Sequence, residues 1–495
     1  MMDLKVILAG YNIDYETIHE LKEARPETEH LTPETISAAY ARISRNPLPV
    51  NELRQASRRE VESARKSNRN IVFGMGHSSI AEHAVFNIDV LGVSRFLVEE
   101  IEKFRLCSYT EKSQRYVLLR DDFVVPEEIR RARIEEPFTG MIRSQNAFYH
   151  TLYKKLLPHV LRKNKAMARA PAHRSTLEGW AKEDARYILS LATETQLGMT
   201  LNARNLELML RRSAAHPLEE ARRYGRKLFE ATGGIAPSLV RYTEATEYDS
   251  RTREALREKV RDMVLPKIKR TRKEGTPRAA SLIHVTPDAD NRVIASLLHS
   301  SSSLPMKKCM ALVGAMKARD KKEVLRTSLR HMKSYDPAPR EFENVDLHFE
   351  LVISASCFAQ LKRHRMATIV CQAYEPDLGV TVPPAVSDVG MERAFREVIG
   401  KTEAVYEKIR RVAPLAAPYI LTNAHRKRVS IKINARELYH MARLRADRYA
   451  QWDIREVTEC MLALGQKAMP LTLMMATGKD HFASLYEHCF HNDRS

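Results

Sequence analysis

The sequence predicts an α+β protein in which one fold occurs twice in tandem, each copy being an antiparallel sheet packed with long helices. Its 495 residues exceed what a single hydrophobic core usually supports, so at least two cores are expected. The motif Asn-Ala-Arg-x-Leu heads a helical pattern twice, in "LNARNLELMLRR" (201–212) and in "INARELYHMARLR" (433–445). A second pair of similar segments precedes these in the same order, "VSRFLVEEIEKFRLCSY" (93–109) and "ISASCFAQLKRHRMATI" (353–369). The shared order indicates a duplication.

Each half also contains a strand-like segment before its basic helix end. In the second half apolar residues alternate without a break, at Val345, Leu347, Phe349 and Leu351. In the first half the alternation runs through Phe86, Ile88 and Val90, and it then needs Gly92 to rejoin the register. Strands followed by helices in both halves predict that each copy is α+β.

The spacing of the two motif pairs predicts an insertion. Asn202 and Asn434 lie 232 residues apart, whereas Arg105 and Arg365 lie 260 residues apart. The first copy therefore has 28 more residues between its motifs, and we expect them in the helical stretch 128–170.

The boundary between the copies is predicted in "KIKRTRKEGTPRAAS" (267–281). Charge density peaks in this segment, and Gly-Thr-Pro breaks a helix. The predicted domains are residues 1–270 and 271–495.

Composition favours an ordered, soluble protein, since 44% of the residues are hydrophobic and 29% are charged. No apolar run approaches the roughly 20 residues of a membrane helix, and the N-terminal stretch soon meets acidic residues, so we expect a cytoplasmic location. The cysteines are far apart and form no CxxC pair, which predicts free thiols without a disulfide framework or a zinc site. They are Cys107, Cys309, Cys357, Cys371, Cys460 and Cys489.

The formal charge of +19 predicts an anionic partner of some kind. Such a field attracts nucleic acid, and it equally attracts nucleotides and phosphorylated cofactors. Because the sequence has no aromatic stacking platform or basic recognition helix, nucleic acid is not the expected partner.

The run "GMGHSSIAEHAVF" (74–86) is a candidate binding segment. Its histidines and acid are not in the HExxH spacing of zinc enzymes, so no metal is expected. Small hydroxyls after Gly-x-Gly suit a phosphate or a ribityl chain, with the acid accepting from a hydroxyl. A capped helix start is the structural alternative.

Two segments resemble, each in part, the signature of the flavin-dependent thymidylate synthases, RHR-x-x-S-x-N-E-x-S-x-R-Y. The first copy has Lys103-Phe104-Arg105 at the head of the signature but keeps its end, with Ser108, Thr110-Glu111, Ser113 and Arg115-Tyr116. The second copy keeps the head, Arg363-His364-Arg365, and has Thr368, Cys371, Ala373 and Glu375 where the signature has Ser, Glu, Ser and Arg. "GHSSIAEH" is similar to the GHxSxxEH flavin segment of the family, and "NARELYHMARLRADRYAQWDIR" to its C-terminal helix.

This resemblance implies two sets of binding residues. For dUMP they are Glu111, Ser113, Arg115, Arg428 and Arg445. For FAD they are His77, Ser79, Glu82, Asn434, Arg436 and His440, with Arg363, His364 and Arg365 as a second flavin set. The nucleotide set takes residues from both copies, because the first copy has Gln196 at the position of Arg428. Arg212 is the candidate counterpart of Arg445 in the first copy.

Helical spacing agrees with the C-terminal part of this assignment. Asn434, Leu438, Met441 and Arg445 share one stripe, and Arg436, His440 and Arg443 form the next. Surface pairing of the arginines with Asp447 and Asp453 is the alternative.

The resemblance implies a thymidylate synthase that methylates dUMP, with methylenetetrahydrofolate as carbon donor, FAD as hydride carrier and NADPH as reductant. No enzyme nucleophile is assigned. A diverged flavin and nucleotide binder without this activity is the alternative, because neither copy holds the whole signature. Relatives with one copy form homotetramers, so a homodimer of this chain is expected to mimic a four-copy assembly.

Overall fold

The computed structural model describes residues 3–22, 31–42, 46, 48–119, 121–267 and 279–491. The chain separates into two compact units. The first comprises Met1–Arg272 with Arg393–Leu421, and the second comprises Lys273–Glu392 with Thr422–Ser495. The predicted copy boundary at 270 lies outside the described residues and stays a prediction.

Each unit is built on a four-stranded antiparallel sheet, and the two sheets have the same topology. The first contains β1 (Lys5–Tyr11), β2 (Val85–Ser94), β3 (Ser108–Glu111) and β4 (Glu194–Asn202) in the order β1-β2-β4-β3. The second contains β5 (Ala280–Val285), β6 (Asp346–Ser354), β7 (Thr368–Tyr374) and β8 (Arg426–Asn434) in the order β5-β6-β8-β7. This confirms the predicted α+β class and the repeat.

Helices cover the sheets and carry the connections. Up to residue 267 they are α1 (Tyr15–Lys22), α2 (Glu34–Arg42), α3 (Val50–Arg59), α4 (Val61–Arg69), α5 (Arg95–Ile101), α6 (Glu127–Arg131), α7 (Glu135–Lys163), α8 (Lys165–Ala168), α9 (Arg174–Ala185), α10 (Ala203–Ala214), α11 (Glu219–Thr232) and α12 (Glu247–Met263). From residue 279 they are α13 (Ala289–Ser300), α14 (Met306–Ala315), α15 (Ala318–Leu329), α16 (Ala355–Leu361), α17 (Pro384–Asp388), α18 (Glu392–Val412), α19 (Ala435–Arg445), α20 (Trp452–Ala468) and α21 (Phe482–Phe490). Among the described residues, no helix combines the length and the apolar character needed to cross a membrane.

The central strand of each sheet shows why the sequence pattern differs between the copies. Phe86, Ile88 and Val90 are buried on the inner face of β2. Gly92 then has a φ of 69°, and the pairing of β2 with β4 shifts between Leu91 and Val93. This bulge returns the strand to register, as the sequence predicted. Strand β6 pairs with β8 without a shift, and its alternating apolar residues are buried.

A serine at the end of each central strand starts the next helix. Ser94 Oγ accepts a hydrogen bond from Leu97 N at 3.0 Å, and Ser354 Oγ accepts one from Cys357 N at 3.0 Å. The hydroxyl of Ser94 donates to the buried carboxylate of Glu220 at 2.7 Å. The hydroxyl of Ser354 donates in the same way to Asp453 at 2.5 Å. The two copies therefore keep an equivalent buried tie between α5 and α11 and between α16 and α20.

The insertion in the first copy extends further than the sequence predicted. Helix α7 has 29 residues where α18 has 21. Helices α8 and α9 follow, and the described residues between α18 and β8 contain no counterpart of either. The stretch 128–170 was therefore too short a prediction, because the insertion runs to Ala185. Helix α9 packs along α7 and buries Leu177 and Ala181.

A segment of the second copy completes the first unit. The side chain of Gln145 on α7 donates to Thr402 Oγ1 at 2.9 Å and to the carbonyl of Ile420 at 3.0 Å. The hydroxyl of Tyr419 donates to Glu220 at 2.6 Å. These groups are buried, so Arg393–Leu421 is part of the core of the first unit.

The bulge gives a direct test of the fold. Gly92→Ala places a side chain on left-handed backbone, and we expect a loss of about 1–2 kcal/mol in the free energy of unfolding, measured by urea denaturation. Gly198→Ala on the neighbouring strand β4 is the control, because its Cβ would meet nothing within 4 Å. It should change stability by less than about 0.5 kcal/mol. Equal losses in the two variants would contradict the role of the bulge.

Candidate functional site

Helix α19 in the second unit begins where β8 ends. Asn434 is the last residue of β8, and its Oδ1 accepts a hydrogen bond from the backbone N–H of Glu437 at 2.8 Å. Leu438 and Met441 on this helix are fully buried. The cap and the buried side fix the rotation of α19, and the predicted helix over this motif is confirmed.

The end of α19 meets the turn that follows α16. Nε of Arg445 donates to Nε2 of His364 at 3.2 Å, and its Nη2 lies 3.5 Å from the carbonyl oxygen of Gln360. On the other side of the ring, His364 Nδ1 lies 3.3 Å from Oε1 of Glu437. The structure therefore brings together two residues from different predicted sets, His364 and Arg445, and adds Glu437.

The imidazole of His364 is held neutral. It is 3% exposed, and burial lowers the pKa of His364 below its ordinary value of 6.5. The hydrogen bond to Glu437 opposes this shift, while the charge of Arg445 and the neighbouring His440 add to it. Because a guanidinium can only donate, the Nε2 that faces Arg445 must carry a lone pair.

His440 stands beside His364 with its own arginine. The two ring centroids are 5.9 Å apart, and Nη2 of Arg443 lies 2.9 Å from Nδ1 of His440. Burial, with the charges of Arg443 and Arg445, lowers the pKa of His440 against the influence of Glu437. For both histidines burial is the largest cause of the lowered pKa, and the charges of the neighbouring arginines add to it.

His364, Glu437 and His440 also have the side-chain types of a metal site. One ligand atom from each lies within 4.8 Å of the others. A histidine that binds a metal usually donates its second ring nitrogen to an acceptor, but here those nitrogens face Arg445 and Arg443, which are donors. The partners of the two rings therefore disfavour a metal.

The remaining predicted residues of the second unit are engaged in ion pairs or lie near the surface. Arg436 donates to the carbonyl of Ala338 and to Glu343, each at 2.7 Å. Arg428 lies on β8 and its Nη1 is 3.1 Å from Glu350. Arg363 and Arg365 follow α16, the first half-buried and the second exposed. Arg445 contacts His364, and its pairing with Asp447 or Asp453 stays the structural alternative.

In the first unit, Arg115 is paired with an acid that comes from the insertion. Its guanidinium forms a salt bridge with Glu183 on α9, and Glu183 is 7% exposed. Lys182 donates to the carbonyl of Tyr116 at 3.2 Å, so α9 lies directly against this segment. Ser113 accepts from the backbone N–H of Arg115 at 3.1 Å.

Glu111 is also engaged within its own unit. It forms a salt bridge with Arg95, and Thr195 Oγ1 donates to it at 3.3 Å. Both Arg95 and Glu111 are largely withdrawn from solvent, with side chains 10% and 3% exposed. A structural role for Glu111 is therefore established by its contacts, whatever else it binds.

Ser79 and Glu82 lie on a 3-10 helix, Ser78–His83, and His77 is its N-cap residue. The side chain of His77 makes no capping hydrogen bond, so the alternative of a capped helix start is wrong, and His77 and Ser79 are exposed. Glu82 forms an ion pair with Arg204 on α10. In the second unit Glu343, on the 3-10 helix Arg340–Asn344, pairs with Arg436 in the equivalent place. The ion pair of Glu82 with Arg204 in the first unit therefore matches the ion pair of Glu343 with Arg436 in the second.

The first copy does not repeat the cluster around His364. The two Asn-Ala-Arg motifs align Asn205 with Glu437, Leu208 with His440 and Ser213 with Arg445, and the preceding motifs align Phe104 with His364. Arg212, the candidate counterpart of Arg445, aligns with Leu444 and pairs with Asp249 at 3.0 Å, beside Arg211 at 2.8 Å. Only the second copy therefore holds this hydrogen-bonded set.

Sequence reasoning missed Glu437 and Glu183. Glu437 lies inside the quoted motif, one turn before His440, and this spacing was the available signal. Glu183 lies in the insertion, where the repeat offers no counterpart and gives no signal.

Comparison with known proteins places the repeat in a family. The family model described as "Thymidylate synthase complementing protein" matches residues 28–238 and again 281–471, more than half of the chain. The UPF0159 protein of Thermoplasma acidophilum is 24% identical over 477 residues, covering 85% of this chain and 90% of that protein. The UPF0159 protein of Chlamydia pneumoniae is 24% identical over 414 residues, covering 80% of this chain and 77% of that one.

Proteins with a named activity match over shorter stretches. The flavin-dependent thymidylate synthase of Clostridium tetani is 29% identical over 220 residues, covering 43% of this chain and 82% of that enzyme. The crystal structure of the Helicobacter pylori enzyme with FAD and dUMP covers 48% of this chain and 99% of its own, at 18% identity and a TM-score of 0.32.

Two matches of one family model, on two sheets of one topology, define a tandem protein of the flavin-dependent thymidylate synthase type. The chain belongs to the thymidylate synthase complementing protein family. The predicted family and the predicted tandem arrangement are confirmed.

The neutral state of His364 predicts a dependence of stability on pH. The folded protein has a lowered pKa for His364, so below about pH 6.5 the unfolded chain binds more protons and stability falls as the pH falls, by at most about 1.4 kcal/mol per pH unit for one group. His364→Gln removes this group and should flatten the slope between about pH 7.5 and about pH 5.5 in urea denaturation. His488→Gln, at an exposed histidine of α21, is the control and should leave the slope as it is. An unchanged slope in His364→Gln would count against a neutral His364.

Proposed function

We propose that the protein is an FAD-dependent thymidylate synthase, which converts dUMP to dTMP with methylenetetrahydrofolate as carbon donor and NADPH as reductant. The observation that supports this proposal is the contact of His364 with Arg445, because it joins the Arg-His-Arg motif to the Asn-Ala-Arg helix. The relatives named flavin-dependent thymidylate synthase agree with it. A cytoplasmic location and a homodimer with four copies belong to the same proposal.

The residues of the second unit suit an anionic cofactor and substrate. FAD and dUMP both carry phosphate, and guanidinium groups bind phosphate through charge-assisted hydrogen bonds. Burial is the main cause of the lowered pKa of His364 and of His440, and the positive charge of the arginines beside them adds to it. The residues that would hold FAD are Asn434, Arg436, His440, Arg363, His364 and Arg365, with His77, Ser79 and Glu82 of the first copy.

When bound, the flavin supplies the hydride for the reaction. The chain's own residues bind and orient, since geometry and electrostatics are the protein's contribution in such chemistry. Arg445, Arg428, Arg115, Ser113 and Glu111 are proposed for dUMP. In this proposal Arg445 reaches the nucleotide from a direction that His364 sets, and no side chain acts as a nucleophile.

A second candidate function is favoured by the salt bridge between Arg115 and Glu183. An arginine already paired with a buried carboxylate binds a phosphate less readily, because the acid must be displaced. The candidate is a flavin and nucleotide binder that has lost thymidylate synthase activity. Such a protein would bind FAD and dUMP as in the first proposal, but it would not methylate dUMP.

Release of tritium from 5-labelled dUMP distinguishes the two functions. Purified, FAD-loaded protein with methylenetetrahydrofolate and NADPH should release tritium in proportion to the dTMP formed, because methylation replaces the hydrogen at C5. The reaction without methylenetetrahydrofolate is the control. A flavin absorption band with no release under complete conditions would leave the non-catalytic binder as the function.

Substitution of arginines tests the nucleotide set. Arg115→Ala and Arg428→Ala should each weaken dUMP binding by about 1.5–3 kcal/mol, the range for a hydrogen bond to a charged group, in isothermal titration calorimetry. The double variant should lose less than the sum, because both groups are proposed to bind one phosphate. Glu375→Ala is the control and should change little. If Glu375→Ala abolished binding while Arg115→Ala did not, the assignment would be inverted.

A further inference from the structure

We infer that Glu437 is a positioning residue, whose carboxylate holds His364 in the tautomer protonated at Nδ1 and thereby keeps the lone pair of Nε2 for Arg445. The inference rests on the proposed function only where it takes Arg445 as a ligand of dUMP. The state of the ring itself follows from three contacts in the second unit.

The first step concerns Nε2 of His364. Arg445 Nε lies 3.2 Å from it, and an arginine has five N–H donors and no acceptor. A proton on Nε2 would set two donors against each other. The contact therefore requires an unprotonated Nε2.

The second step concerns Nδ1. With Nε2 unprotonated, a neutral ring carries its proton on Nδ1, which lies 3.3 Å from Oε1 of Glu437. His364 and Glu437 are 3% and 8% exposed, so water competes little for this bond. The carboxylate accepts a hydrogen bond from Nδ1–H, and this selects the tautomer.

Glu437 is the charged acceptor that faces Nδ1 of His364. Helix α19 presents Glu437, His440 and Arg445 to His364, and α16 presents the carbonyl of Gln360 to Arg445. Among these charged groups Glu437 alone is an acid. Loss of its carboxylate would remove the group that favours Nδ1–H over Nε2–H.

Helix capping is the ordinary role for an acid at this position. A glutamate three residues after the cap often accepts from the backbone N–H of the capping residue. In this structure Asn434 caps α19, and the carboxylate of Glu437 is directed to the ring of His364. The first copy offers the comparison, since Asn205 stands at the same place and its Nδ2 donates to the capping Asn202 at 2.8 Å. There the residue donates to the cap.

Nitrogen-15 NMR of the full chain with labelled histidine reports the tautomer directly. The signals of His364 are assigned by their loss in His364→Gln. In the wild type we expect a proton on Nδ1 and none on Nε2. In Glu437→Ala we expect the proton on Nε2, and Glu437→Gln should restore the wild-type form because an amide oxygen still accepts.

Two further variants separate positioning from folding. Asn205→Ala, the matched substitution in the first copy, should leave the His364 signals unchanged. Glu437→Asp keeps the charge and suits the start of a helix but draws the carboxylate back by one carbon, so it should shift the tautomer as Glu437→Ala does. If Glu437→Ala fails to fold, Glu437→Asp provides the test of the tautomer in its place.

Binding of dUMP gives the functional readout. Glu437→Ala should weaken it about tenfold, the effect of losing roughly one well-placed charged hydrogen bond, and Glu437→Gln should recover most of it. A His364 ring that keeps its proton on Nδ1 in both Glu437→Ala and Glu437→Asp would overturn the inference. If the tautomer changes as expected while no variant and no wild-type protein binds dUMP, the positioning role stands and the proposed function fails.

Discussion

The hydrogen bond from the Asn434 side chain to the backbone of Glu437 is the constraint on which the site of the second unit depends. It ends strand β8 and starts α19 at one residue, so the sheet dictates where the helix begins. The buried Leu438 and Met441 then fix the rotation of the helix. Eleven residues after the cap, the guanidinium of Arg445 arrives at the ring of His364. Sheet, cap and core together therefore determine a contact between two polar side chains.

The two units share a backbone arrangement but place different side chains on it. Asn202 caps α10 as Asn434 caps α19, and the 3-10 helix before each central strand supplies an acid to the arginine of the motif. Beyond these shared contacts the copies diverge. The second unit has an acid and two imidazoles between arginines, whereas the first has an aromatic, an amide and an aliphatic side chain in their place. The structural pairs occur in both units, and the cluster around His364 occurs in one.

The repeat could be predicted because its signals are periodic and local. Motif order, strand alternation and the need for a glycine at position 92 all lie within short stretches, and the bulge at Gly92 followed from them. The contact between His364 and Glu437 spans 73 residues and depends on how the turn after α16 packs against α19. No local pattern specifies such packing. The salt bridge from Glu183 to Arg115 escaped prediction for another reason, since α9 has no copy with which to compare it.

The segment Arg393–Leu421 has a consequence for how this protein can be divided. It lies late in the chain, yet Gln145 and Glu220 depend on it for buried hydrogen bonds. A gene cut between the copies would give a first fragment whose core lacks these partners and a second that exposes an apolar segment. The halves would then have to associate to fold, as complementing fragments do. Division of the chain between the copies would therefore separate the first unit from part of its own interior.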